Sequence, residues 1–126
     1  MNTITVTLPW PPAECSPNWR GHWAKRNQKV QEYKQWAYWY TQETLGENIP
    51  ILIFNDSLYI RYVLHPPDKR RRDLDNFVAR CKPGIDGLFE LFATDDSDIK
   101  RTTAEWGEVV KGGEVKITIG LMESEE

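Results

Sequence analysis

Long apolar runs are missing from this chain. No segment approaches the ~20 residues that a helix needs to cross a bilayer. The start, Met1-Asn2-Thr3-Ile4-Thr5-Val6, has no basic stretch followed by an apolar one. It does not read as a secretory leader, and the cytoplasm is the expected compartment. Cysteine is scarce: Cys15 and Cys81 are the whole complement. They form neither a CxxC-type metal pattern nor the disulfide framework of a small secreted domain. Internal repeats, low-complexity linkers, nucleophile triads and glycine-rich phosphate loops are missing too.

Excess positive charge is also lacking, since the net charge is −3. Taken alone, that argues mildly against a nucleic-acid partner. The distribution argues the other way. Residues 16–34 carry Arg20, Lys25, Arg26, Lys29 and Lys34, and residues 61–82 carry Arg61, Lys69, Arg70, Arg71, Arg72, Arg80 and Lys82. These segments hold twelve of the sixteen Lys and Arg residues, while the tail Glu123-Ser124-Glu125-Glu126 places acid elsewhere. A local basic stripe matters more to a phosphate backbone than the total does.

The length of 126 residues suits one domain, 1–126, with a limited core that a dimer interface would help. Ile4, Val6 and Leu8 alternate with Thr3, Thr5 and Thr7, so a strand runs from Asn2 to Leu8 and Pro9 ends it. Ser16-Pro17-Asn18 signals a turn. Trp23 to Leu45 contains no Gly or Pro. There Val30, Tyr33, Ala37 and Tyr40 recur at helical spacing, with Gly46 as the stop. This helix is rich in Trp and Tyr, a composition suited to a partner-subunit surface.

Leu58 to His65 is the clearest inner strand, with Ile51 to Phe54 a short strand or an approach to it. A second helix lies within Phe77 to Phe92, with Cys81, Ile85, Leu88, Phe89 and Phe92 as its apolar stripe. Pro83 predicts a kink or a helix start near Lys82. Ile99 to Val110 and Glu114 to Leu121 read as strands joined in a hairpin by Lys111-Gly112-Gly113. The expected fold is α+β, in the order β-α-β-α-β-β, with two helices on one face of a small mixed sheet.

The chemistry concentrates in Lys69-Arg70-Arg71-Arg72-Asp73-Leu74-Asp75-Asn76. In extended chain, Asp73 and Asp75 project to one side. If a helix begins there instead, Asp75 becomes a candidate N-cap. Mg²⁺ takes hard oxygen ligands and keeps several waters, so two carboxylates plus a distant third form a sufficient site. Asp96, or else Asp95, can be that third ligand. Such an ion activates water and stabilises a leaving oxygen, which is phosphodiester hydrolysis. A solvated loop with a helix cap is the plainer reading of a DxD pair. The four cations beside the acids favour a phosphate site. Asp86 reads as structural and Asp98 as a cap or strand start. His22 and His65 read as structural or DNA-contacting.

The order of residues resembles the RusA family of Holliday junction resolvases over nearly the whole chain. The resemblance is carried by Leu8-Pro9-Trp10-Pro11-Pro12, by Ser16-Pro17-Asn18, and above all by His65-Pro66-Pro67-Asp68-Lys69-Arg70-Arg71-Arg72-Asp73-Leu74-Asp75-Asn76. Lys82, Ile85-Asp86-Gly87-Leu88 and Asp95-Asp96-Ser97-Asp98-Ile99 continue it. The resemblance implies that Asp73, Asp75 and Asp96 bind Mg²⁺, with Mn²⁺ an open substitute, and that Lys82 is the catalytic lysine. It implies that Lys69, Arg70, Arg71, Arg72 and Arg80 hold DNA, with Asn18 and Arg20 from the first loop, and that Asn76 supports the site. It further implies a homodimer that nicks two opposed strands of a four-way junction. One departure stands out. The shorter family form has its lysine four residues after the second aspartate, where this chain has Ala79; here it comes seven residues on. Two other readings fit the same residues: a non-catalytic branched-DNA-binding module, and a metal-dependent nuclease acting on flaps or forks.

Overall fold

The computed structural model describes residues 3–46, 57–92 and 99–122. Strand β1 (Thr3–Pro9) leads through a 3₁₀ turn, Ala13–Cys15, to helix α1 (Trp23–Leu45). Strand β2 (Leu58–His65) is followed by helices α2 (Leu74–Arg80) and α3 (Lys82–Phe92), then strands β3 (Ile99–Trp106) and β4 (Glu114–Leu121). The domain is α+β with a mixed four-stranded sheet in the order β1-β4-β2-β3.

Alternation along the strands decides which face is covered. Register aligns Ile4, Ile119 and Ile60 in one row, Val6, Ile117 and Tyr62 in the next, and Leu8, Val115 and Leu64 in the third. All nine residues are buried. Burying side chains of this size stabilises by roughly 1.5–3 kcal/mol each against leaving them exposed. The opposite face is polar: Thr5 and Thr118 hydroxyls meet at 3.0 Å, and Arg61 pairs with Glu105.

The helices cover the apolar face. From α1 come Tyr33, Ala37 and Thr41, spaced four apart. Tyr40, expected on that stripe, is instead exposed, because a four-residue repeat from Tyr33 passes through Thr41. From α3 come Ile85, Leu88, Phe89 and Phe92, with Cys81 just before it. Helices α1 and α3 approach closely at Gly87, where an added Cβ would lie 2.4 Å from the Lys34 carbonyl oxygen. The stretch read as one second helix is two. Pro83 has no N–H to continue the ladder from α2, and the chain restarts as α3 at Lys82.

The expected hairpin between the last two strands is not formed. Strand β3 stops at Trp106 and pairs in parallel with β2, while β4 lies between β1 and β2. The intervening segment crosses the end of β2 and is tied there: Gly107 N–H donates to the Leu64 carbonyl and Val110 N–H to the Pro66 carbonyl. Gly112 and Gly113 do adopt left-handed backbone, at φ 80° and 76°. They turn the crossing chain into β4 rather than closing a two-strand ribbon. Residues 51–54 lie outside the described residues. No helix among the described residues is long and apolar enough to cross a membrane.

Candidate active site and nucleic-acid surface

Pro66-Pro67 ends β2, and the basic segment runs from there into α2. A helix does begin at the DxD pair, but Asp73 is its N-cap rather than Asp75. The Asp73 carboxylate accepts the Asp75 N–H at 3.1 Å, and Asp75 sits in the first turn. Both carboxylates are exposed. Neither forms an ion pair with the described residues, although four cations precede them. The positive end of α2 favours negative charge here.

Two of those cations, Arg70 and Arg72, are engaged by a different acid. Asp68 accepts the Arg70 N–H at 2.9 Å and the Arg72 guanidinium at 2.7 Å. The same guanidinium donates to the Asp68 and Arg70 carbonyls, each at 3.0 Å. These bonds, the backbone one first, hold the Asp68 carboxyl below the usual range. Arg72 is only 10% exposed and lies 5.7 Å from the Trp10 ring centroid and 6.0 Å from that of Phe77. It braces the loop from inside.

Arg80 is likewise turned inward. Its guanidinium donates to the Pro11 carbonyl at 2.7 Å and lies 4.1 Å over the Phe77 ring. Burial pulls its pKa down. Lys69, Arg70 and Arg71 point outward and are exposed. Arg70 also faces Asp68 at 3.5 Å, whereas Lys69 and Arg71 have no ion-pair partner among the described residues.

The first loop is locked to the same helix. The Asn76 amide and Ser16 hydroxyl meet at 3.3 Å, and that hydroxyl also accepts the Asn18 N–H at 3.1 Å. Asn18 and Arg20 are exposed on this loop. Lys82 opens α3, with its ammonium 2.7 Å from the Asp86 carboxylate. The break at Cys81 therefore places Lys82 on a new helix rather than one turn further along the helix of Asp75. Asp95, Asp96 and Asp98 lie outside the described residues. Among those described, no group of three or more metal-capable side chains occurs.

The remaining reactive groups each have a local role in the fold. His22 caps α1 by accepting the Ala24 N–H at 3.1 Å. His65 is buried, with Nδ1 2.9 Å from the Glu108 carbonyl. Both cysteines are buried; burial raises the Cys15 thiol pKa and pushes that of Cys81 up to about 12, which disfavours the reactive thiolate. Two participants escaped the sequence reading. Asp68 was visible only as one more acid in the motif. Trp106 stands beside Lys69–Arg71 because of the parallel pairing of β3 with β2, which no local pattern announces.

No family model matches the chain. Whole-length relatives do. The chain is 33% identical over 134 residues to the crossover junction endodeoxyribonuclease RusA of Escherichia coli K12, covering 99% of this chain and all of that one. It is 31% identical over 130 residues to the protein of the same name from Enterobacteria phage 82, with the same coverage. An uncharacterized protein of Xylella fastidiosa is 32% identical over 117 residues, spanning 91% of this chain and 74% of that one. Identity of this order along the full length of both chains means that the chain belongs to the RusA family of crossover junction endodeoxyribonucleases.

Proposed function

We propose that the protein is a Mg²⁺-dependent endodeoxyribonuclease that resolves Holliday junctions by paired symmetric nicks in DNA recombination and repair. The observation that carries this reading is the end-to-end likeness to crossover junction endodeoxyribonucleases. It is supported by two exposed carboxylates at the start of α2, unpaired among the described residues, beside three outward cations.

The donor set fits a hard divalent cation. Asp73 and Asp75 offer carboxylate oxygens, and Asp96 would add a third group from outside the described residues; Mn²⁺ suits the same oxygens. When bound, the ion supplies an activated water and stabilisation of the leaving oxygen. The chain supplies the rest. Lys69, Arg70 and Arg71 hold backbone phosphates, with Asn18 and Arg20 extending that surface. Arg72 and Arg80 keep the loop in shape from behind. Asn76, tied to Ser16, anchors the turn that carries Asp75. Lys82 offers positive charge to the reacting phosphate.

Paired cuts need two sites, and a two-fold homodimer matches a two-fold junction. The aromatic face of α1 is the surface we assign to the partner subunit. Trp36 and Tyr40 stack there at 4.7 Å beside Trp39, and all three are exposed. A Trp39→Glu protein that still sediments as a dimer would move the interface elsewhere.

The deciding experiment offers a synthetic four-way junction to the protein with Mg²⁺ or with EDTA. Two symmetric nicks near the crossover, in Mg²⁺ only, are expected. Tight binding without nicking would make it a non-catalytic branched-DNA-binding module. Preferential cutting of a flap or fork in competition would change the substrate.

A further inference from the structure

The sheet row Leu8, Val115 and Leu64 ends on Trp106, the register partner of Leu64. The indole therefore projects on the helix-covered side, where it meets Phe77 edge-on at 5.9 Å and 63°. Phe77 is held in turn by Trp10 at 4.9 Å and by Arg80 at 4.1 Å. Trp106 is thus braced from beneath while 36% of it stays open. In front of it lies a cavity of about 290 Å³, lined by Pro66, Lys69, Arg70, Arg71, Arg72 and Trp106.

That lining has four cations, one large aromatic ring and no carboxylate. A bare phosphate would need no indole, and an apolar ligand would be poorly served by the arginines. A nucleotide has both halves: an anionic phosphate and a flat π face. The size lies at the low end for ligand pockets, which suits a single unit. Bases inside a duplex are stacked on their neighbours and cannot use it without first leaving the stack.

We infer that the cavity between Trp106 and the loop 66–72 is a single-nucleotide pocket, taking an unstacked base on the indole and its phosphate on Lys69, Arg70 and Arg71. Its role in catalysis rests on the nuclease reading above. The loop runs directly into Asp73, so a base seated there belongs to the strand entering that site. Taking a base out of the stack costs least where it is already unpaired or single-stranded, and the pocket would favour such positions. Since every base has a π face, the pocket selects for unstacking more than for sequence.

The test is binding by fluorescence anisotropy in EDTA, with the full chain and two labelled probes: a short oligothymidylate and a duplex of equal length. Trp106→Leu keeps apolar bulk over Phe77 but has no ring, and should weaken oligothymidylate binding about tenfold or more. Duplex binding should change less than about twofold, because phosphate contacts carry it. Trp106→Phe should retain most of the affinity. Equal behaviour of the Leu and Phe proteins, or equal losses on both probes, would overturn the pocket. The readout needs no cleavage. A protein that cuts nothing yet shows the Trp106 dependence sinks the nuclease reading alone, and one that cuts junctions without that dependence sinks the pocket alone.

Discussion

The segment from Asp68 to Arg80 has two sides that share one composition and differ in use. On the inner side, Asp68 pairs with Arg72, while Arg80 donates to the Pro11 carbonyl and lies over the face of Phe77. On the outer side, Lys69, Arg71, Asp73 and Asp75 form no ion pair with the described residues, while Arg70 reaches only Asp68. Groups on the inner side are held by the protein itself, Arg72 by Asp68 and Arg80 by the Pro11 carbonyl, and fix a shape. Charges on the outer side, Arg70 apart, have no such partner among the described residues. Counting Arg and Lys cannot separate these groups; the partner of each guanidinium does.

The strongest way to break the comparison is to remove an outer acid. Asp75→Asn keeps the size and helical position of the side chain and removes its charge. Cleavage of a four-way junction in Mg²⁺ should fall on the order of 10³-fold or more, as expected from losing several kcal/mol of transition-state stabilisation. Junction affinity in EDTA should survive. Near-normal turnover would return Asp75 to the status of a first-turn helix residue.

An inner cation should do the opposite. Arg80→Ala leaves the Pro11 carbonyl without its donor and strips the cation from Phe77. The expected cost is about 2 kcal/mol, a fall of roughly 6–12 °C in thermal midpoint for a chain this size. Calorimetry checks it. A change in DNA affinity with no change in midpoint would move Arg80 to the outer group.

An outer cation should spare stability and change the response to salt. Arg71→Ala should weaken junction binding severalfold and lower the slope of log affinity against log salt by about one. Titrations at several salt concentrations measure it directly. An unaltered slope would mean that Arg71 touches no phosphate.

How far this was legible in the sequence depends on whether a feature is local. Helix α1 and strand β2 begin and end where expected because each is a closed pattern: an unbroken helical spacing up to Gly46, and an alternation ended by two prolines. The pairing of β3 was not legible. Gly112-Gly113 reports a backbone turn but not the identity of the neighbouring strand. That neighbour is decided by β4 filling the gap between β1 and β2. The site divides in the same way. Asp73, Asp75 and the basic run are contiguous and could be read directly. The inward turn of Arg72 and Arg80 depends on Trp10, Pro11 and Phe77, and the position of Trp106 depends on strand order.

The smallest expected effect lies at the hinge between the two sides. Asp68 holds Arg72 inward, and its carboxyl titrates below its ordinary value because the Arg70 N–H and the Arg72 guanidinium favour the anion. A carboxyl with a depressed folded-state pKa stabilises the fold fully above its unfolded value of 3.8, and that contribution is lost as pH falls through the lower folded value. Asp68→Asn should therefore be slightly less stable than wild type at neutral pH. The gap should close on acidification below about pH 4, where protonated Asp68 resembles asparagine. Denaturant midpoints at a few pH values follow it. In the variant, Arg72 loses its charged partner and keeps only the Asp68 and Arg70 carbonyls and the two rings, so its charge is less neutralised and the salt slope of junction binding should rise slightly rather than fall. A flat stability difference across the acid range would mean that Asp68 does not hold Arg72 in solution. Arg72 would then belong with the outer cations, leaving Arg80 as the inner one.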